Sequence, residues 1–368
     1  MSRMRDEVNA QIASATSASA LALARLRLAI YEAKLGNADI SASIVESVRS
    51  SLSGPVAQNV YALLNIAEGV RAFYLSDLSL AREKIQRAIA ISKIGNVCSI
   101  ERNLARAWLG HIEFVQQNVV DAAAITGAVL AEASGTEHEA RARACQVMAC
   151  VFLEIGDFRY ADAWYRNSRE HAIISGDDTM IGATIYNRAA FRIYNARMGE
   201  IDGTLADLGS CDLELEALSA TNYSAYTGNN AMSWMLDLLR GQLCVLQGRF
   251  ADALQSLESD RLRDLREVHF DSDVDRRVDA IYSRLRIGEV KDCADELERL
   301  EMLYSTLERE GDKASVAHRL SQCFSILGDG ARSTKYSRLA ALAIADFRRY
   351  QDSIRELVSM SAPNAFKP

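Results

Sequence analysis

The sequence predicts an all-α protein: a solenoid of about eight helix-turn-helix hairpins that ends in a long C-terminal helix. Three observations carry this. Only three of the 368 residues are proline, Pro55, Pro363 and Pro368, so none interrupts a helix between Val56 and Ala362. Good helix formers, chiefly Ala, Leu, Arg and Glu, dominate the composition. One pattern also recurs: an apolar helical run, a turn, and a second run with a small residue near its start. The turns fall near positions 36, 76, 118, 156, 199, 248, 288 and 328, at steps of 40, 42, 38, 43, 49, 40 and 40 residues.

The clearest copy runs from Cys145 to Ser168. Met148, Val151, Phe152 and Ile155 recur at three- and four-residue steps and share one helical face. Gly156 ends the run where a left-handed residue is needed. Asp157 is placed to cap the next helix. Phe158, Ala161, Trp164, Tyr165 and Ser168 form the second face, with Ala161 small where the helices cross.

The other elements follow in order. A long helix over about 4–35 precedes a second that ends near Ser53, Gly54 and Pro55. The next hairpin has Gly69 at the small position, a turn at Ser76-Asp77-Leu78, then Ala81, Ile85 and Ala88. The third carries Trp108, Ile112 and Val115 before its turn at Asn118, and Ala123 after it. The fifth turns at Gly199, and Gly203 and Gly209 weaken its second helix. Residues 221–230, TNYSAYTGNN, read as a loop. The sixth hairpin has Gly241, a turn at Gly248, then Ala253 and Leu257. The seventh and eighth turn at Gly288 and Gly328. Tyr336, Ala340, Ala343, Phe347, Tyr350, Ile354 and Leu357 then place an a/d stripe on a helix over about 332–359. That stripe either caps the stack or forms a homodimer seam. Residues 360–368 read as a flexible tail.

Small residue, Gly-Asp-aromatic turn and Ala three residues on (Ala149, Gly156, Asp157, Phe158 and Ala161, with Tyr165 beyond) resemble the tetratricopeptide (TPR) repeat. A standard TPR repeats every 34 residues and often closes with proline. The longer period here and the missing prolines resemble its longer-helix branch. That branch includes the MalT-like sensor region and the peptide-sensing Rap-type regulators. The resemblance covers nearly the whole chain. It implies right-handed winding, a single solenoid over 1–359, a bacterial regulatory role and a concave groove lined by the first helices.

Charge and motifs narrow the function. A net charge of −7 excludes a general nucleic-acid binder. Seven scattered cysteines without a CxxC pair read as buried free thiols in a reducing compartment. Arg25 and Arg27 interrupt the apolar run at 21–30, which excludes a signal peptide or membrane span, so a cytoplasmic location is expected. No HExxH, Walker glycine loop, GxSxG or GxGxxG occurs, so no enzyme and no cofactor is expected. An enzyme would need a convergent acid–base cluster. The five histidines are far apart in sequence. Asp271, Asp273 and Asp275 have calcium-loop spacing, but Arg276 and Tyr282 stand where that loop needs Gly and Glu. They read as helix N-terminal acids. Glu137, His138 and Glu139 likewise read as a helix start, and no metal site is expected.

The family register places Arg27, Lys34, Tyr74, Trp108, Gln116, Arg143, Gln146, Glu154, Tyr186, Arg197, Gln242 and Tyr282 on the groove. Asn187, Arg188, Arg192 and Asn195 make the fifth hairpin unusually rich in donors. The candidate binding residues are therefore Tyr74, Trp108, Arg143, Tyr186, Asn187, Arg188, Arg192, Asn195 and Arg197. The carboxylate clamp of chaperone-binding TPRs is not in register. The expected function is a non-catalytic, regulatory scaffold for a peptide or protein segment. The alternative is a small-molecule effector sensor whose output lies in a partner protein or in a missing domain.

Overall fold

The computed structural model describes residues 3–52, 57–94, 98–204, 210–231, 233–262 and 270–367. Among them are seventeen α-helices and no strand. The chain divides into two compact units. The first comprises Met1–Thr184, Tyr223–Ala231 and Asp352–Pro368; the second comprises Ile185–Asn222 and Met232–Gln351.

In the first unit, α1 (Arg3–Ala13) leads into hairpins α2 (Ala18–Lys34) with α3 (Ala38–Ser51), and α4 (Gln58–Tyr74) with α5 (Leu78–Lys93). Two more follow: α6 (Ser99–Val115) with α7 (Val119–Glu132), and α8 (His138–Glu154) with α9 (Phe158–Ser175). The first helices α2, α4, α6 and α8 pack consecutively. The second unit holds most of α10 (Asp178–Asp202) and α11 (Ser210–Thr227), then α12 (Ser233–Leu246) with α13 (Phe250–Leu257). It continues with α14 (Phe270–Arg286), α15 (Cys293–Tyr304), α16 (Glu310–Ile326) and most of α17 (Gly330–Ser361).

One local device makes most of the turns. Gly36, Ser76, Gln117, Gly156, Gly248, Gly288 and Gly328 all have positive φ. The residue after each donates its backbone N–H five residues back, as in Asp157 N to Phe152 O at 2.8 Å and Asp329 N to Phe324 O at 2.9 Å. This closes orphan carbonyls at the helix end. Asp77, Asp157 and Asp329 then cap the next helix, accepting from Leu80 N, Tyr160 N and Arg332 N. The small positions are tight: a Cβ on Gly69 would stand 2.9 Å from Ile85 Cγ1, and one on Gly241 would stand 2.4 Å from Leu257 Cδ2.

The repeat positions form the cores. Met148, Val151, Phe152, Ile155, Ala161, Trp164, Tyr165 and Ser168 are all buried. Each large apolar side chain among them contributes roughly 1.5–3 kcal/mol. Cys98, Cys145, Cys150, Cys244, Cys293 and Cys323 are buried and form no disulfide.

The structure departs from the sequence reading at four places. The segment 4–35 is broken, because Ser14 bonds back to Ala10 O and Ser17 Oγ accepts from Ala20 N to start a new helix. Gly199 is not a turn: α10 runs to Asp202 and the positive φ falls at Gly203. Met198, packed with Ala314, Ile344 and Phe347, holds the helix through Gly199. The 221–230 segment is largely helical, its turn delayed to Gly228. Buried Ala217 and Ala220 anchor it, while Thr221 and Thr227 bond back to carbonyls four residues earlier. Of the a/d stripe, Tyr336, Ala340, Ala343 and Phe347 are buried within the second unit, in line with the capping alternative, while Leu357 is 43% exposed. The tail is docked: Pro363–Phe366 is a 3-10 turn with Ala365 buried. The expected helix end at 53–55, Gly209 and His269 lie outside the described residues.

Candidate functional site

Three successive first helices of the first unit bring together Phe73 and Tyr74 (α4), Trp108 and His111 (α6), and Arg143 and Gln146 (α8). The stacking sets this up, since α4, α6 and α8 pack in succession and each first helix faces the next. Phe73 meets Tyr74 at 5.4 Å, Trp108 at 5.6 Å and His111 at 4.8 Å between ring centroids. The Arg143 guanidinium lies 3.8 Å from the Trp108 centroid, a cation–π contact.

Arg143 also fixes the histidine. Its Nη1 donates to His111 Nδ1 at 3.0 Å and to Gln146 Oε1 at 3.2 Å. Guanidinium is a donor only, so His111 Nδ1 accepts and the imidazole proton sits on Nε2. Burial, and then the Arg143 charge, hold His111 well below the usual histidine range. The imidazole is therefore neutral near pH 7 and offers Nε2–H as a donor. Trp108 and Arg143 are buried, whereas Phe73, Tyr74 and His111 remain partly exposed. The partly exposed groups are thus the Phe73 ring, the Tyr74 ring with its hydroxyl, and a neutral imidazole.

A second buried contact of this unit joins Lys34 at the end of α2 to Asp177 at the start of α10. Asp177 also accepts from Thr179 Oγ1 at 2.6 Å. Burial opposes its charge, but Lys34 outweighs it and holds the carboxyl below its ordinary range.

The other six candidate residues lie in the second unit. Tyr186 packs with Ala189, Ile193 and Leu239, and burial pushes its phenol well up. Arg192 Nη1 pairs with Glu216 Oε1 at 2.5 Å, with Arg188 Nε 3.6 Å from the same oxygen. Asn195 Nδ2 bonds back to Phe191 O. Asn187 lies one residue after Tyr186 on α10 and is half-buried.

Arg197 is only 3% exposed and belongs to the interior. It pairs with Asp275 at 2.8 Å and Asp279 at 3.0 Å and donates to Ser315 Oγ at 2.7 Å. Arg319 continues the network, bonding Asp279 at 3.1 Å and Glu200 through two donors at 2.7 and 3.0 Å. Two acids of the calcium-spaced stretch are engaged in this way: Asp273 accepts from Arg276, and Asp275 from Arg197, Gln242 and Ser315. Among the described residues no group of three or more His, Cys, Asp or Glu side chains could hold a metal ion. No described helix is long and apolar enough to cross a membrane.

Phe73 and His111 were not singled out by the sequence reading. Both were legible in principle: Phe73 adjoins Tyr74, and His111 lies three residues after Trp108 on one helical face. The network between α10 and α16 had no such signal, since Arg197 and Ser315 are 118 residues apart.

No family model matches the chain, and no curated protein matches its sequence. Twenty solved chains match in structure. One is a Rap protein complexed with competence and sporulation factor, at a TM-score of 0.55 and 14% identity. The match covers 97% of this chain and 92% of that one. At this identity the likeness establishes the fold, a TPR-like helical repeat, and not its residues.

Proposed function

We propose that the protein is a non-catalytic regulatory scaffold that binds a peptide or protein segment on the first-helix face of its first unit. The observation that carries this is the cluster of Phe73, Tyr74, Trp108, His111 and Arg143 on three stacked helices. Phe73 and Tyr74 offer apolar faces to a side chain, and His111 Nε2–H offers a donor to a backbone carbonyl or carboxylate. Buried Trp108 and Arg143 hold those groups in place, so little ordering accompanies binding. The fold-level likeness to a Rap protein solved with a bound factor supports the reading. Of the original candidates, Tyr74, Trp108 and Arg143 belong to this site. Arg192 and Arg197, which already hold carboxylates, do not.

The test is selection of peptides from a random display library on the immobilised full chain, followed by affinity measurement. Selected peptides should bind Tyr74→Ala and Phe73→Ala about tenfold or more weakly, a loss near 1.4 kcal/mol, and bind Arg188→Ala as they bind the wild type. Failure to select any peptide, or equal binding by all variants, would reject the site.

A further inference from the structure

A cavity of about 320 Å³ opens between α7, α8, α9 and the segment after α17. It lies between the second helices α7 and α9 and the first helix α8, with none of the peptide-site residues in its wall. Leu130, Met148 and Trp164 give it an apolar interior, and Arg141, His171 and Lys367 line it with polar groups. No carboxylate is among its lining residues, although the chain as a whole carries a net charge of −7.

The Arg141 guanidinium is fixed there by neutral partners. Nη1 donates to Leu130 O at 3.3 Å and Ala133 O at 2.9 Å, and Nε donates to His171 Nε2 at 3.3 Å. Because His171 Nε2 must accept, its proton lies on Nδ1, facing His138 Nδ1 at 3.0 Å. His171 is thus neutral. Two carbonyls and a neutral imidazole orient the guanidinium without cancelling its charge. Among the described residues Arg141 has no counter-ion, and such a half-buried cation beside an apolar space favours an anion over water. The cavity is within the size range of small-molecule sites.

We propose that this cavity is a binding site for a small amphipathic carboxylate, its acyl or aryl body against Leu130, Met148 and Trp164 and its anion against Arg141 and Lys367. The Cys145 thiol in the wall is pushed up to about 12 by burial, so binding there is non-covalent. Because Asn364, Ala365 and Lys367 form one side, occupancy also fixes the segment after α17.

Octanoate, octanol and octylamine serve as probes in calorimetric titrations of the full chain. Octanoate should bind saturably at one site, and the alcohol and amine about tenfold or more weakly. Ala131 is exposed at the rim, so Ala131→Trp should block the mouth and abolish octanoate binding while keeping the helical circular-dichroism spectrum. Lys367→Met and Arg141→Gln should each weaken octanoate several-fold, whereas Tyr74→Ala should leave it unchanged. Equal affinity for octanoate and octanol, no saturable heat, or full binding by Ala131→Trp would overturn the proposal.

Discussion

The indole Nε1–H of Trp164 donates to the backbone carbonyl of Ala365 at 2.8 Å, across 201 residues of sequence. Both residues are buried. Arg355 adds a second tie to Ile155 O at 3.0 Å, and Ala362 sits over Gly127. Trp164→Phe removes the donor and part of the packing, so it should destabilise by roughly 1–3 kcal/mol. Amide hydrogen exchange at residues 362–367 should speed up at the same time. Unchanged exchange there would show that the hydrogen bond does not hold the segment.

Arg197 and Arg192 should differ sharply although both are paired. Arg197→Ala leaves buried Asp275 without its cation and Asp279 with Arg319 alone, and should cost about 3–5 kcal/mol. Arg192→Ala breaks a pair that is 22% and 21% exposed and leaves Arg188 beside Glu216, so it should cost about 1 kcal/mol. Urea midpoints of the two variants decide this, and similar shifts would contradict the burial argument.

Packing at the helix crossings gives a third expectation. Ala161 is 1% exposed, so Ala161→Arg should destabilise by roughly 1–3 kcal/mol or more. Gly241→Val, whose Cβ would overlap Leu257, should do the same. Unaltered thermal midpoints would mean that these positions are not the crossing points.

Stability should fall on mild acidification. His111 and His171 are both held below the ordinary histidine value, in each case first by burial and then by an arginine. The unfolded chain therefore binds protons that the folded chain refuses. Stability is full above about pH 6.5 and declines as pH falls from there toward the folded-state values. Asp177, depressed by Lys34, adds its loss only below the ordinary carboxylate range. Denaturation midpoints across this range should show the decline, and His111→Gln should reduce its slope.

The fold was legible because it is written locally. Gly156, Asp157 and Ala161 each solve a problem posed within a few residues: a left-handed stop, an N-cap and a close crossing. Such signals survive in degenerate copies, and Ser76 and Gln117 take the left-handed position without glycine. The reading failed where a distant contact outweighed a local preference. Gly199 stays helical because Met198 packs on α16 and α17, and residues 221–227 stay helical because Ala217 and Ala220 are buried.

The candidate site was legible in part for the same reason. Tyr74, Trp108 and Arg143 lie on consecutive first helices and the groove register named all three, although Tyr74 ends α4, Trp108 sits mid-way along α6 and Arg143 lies in the first half of α8. Arg197 occupies the same register, yet it lies in a network with Asp275, Asp279 and Ser315. Donor-rich composition looks the same whether the acceptors come from a ligand or from a helix many residues away.

The sequence by itself determined the helices, most of the turns and the neighbours within the stack, since period, caps and small crossings act over one hairpin's length. Tertiary structure decided which polar groups are engaged and which stay accessible. It paired Arg197 with buried acids, set Arg143 over Trp108, and left Arg141 beside an apolar cavity with only neutral partners. Those outcomes depend on the burial and partner of each charge, which local periodicity does not encode.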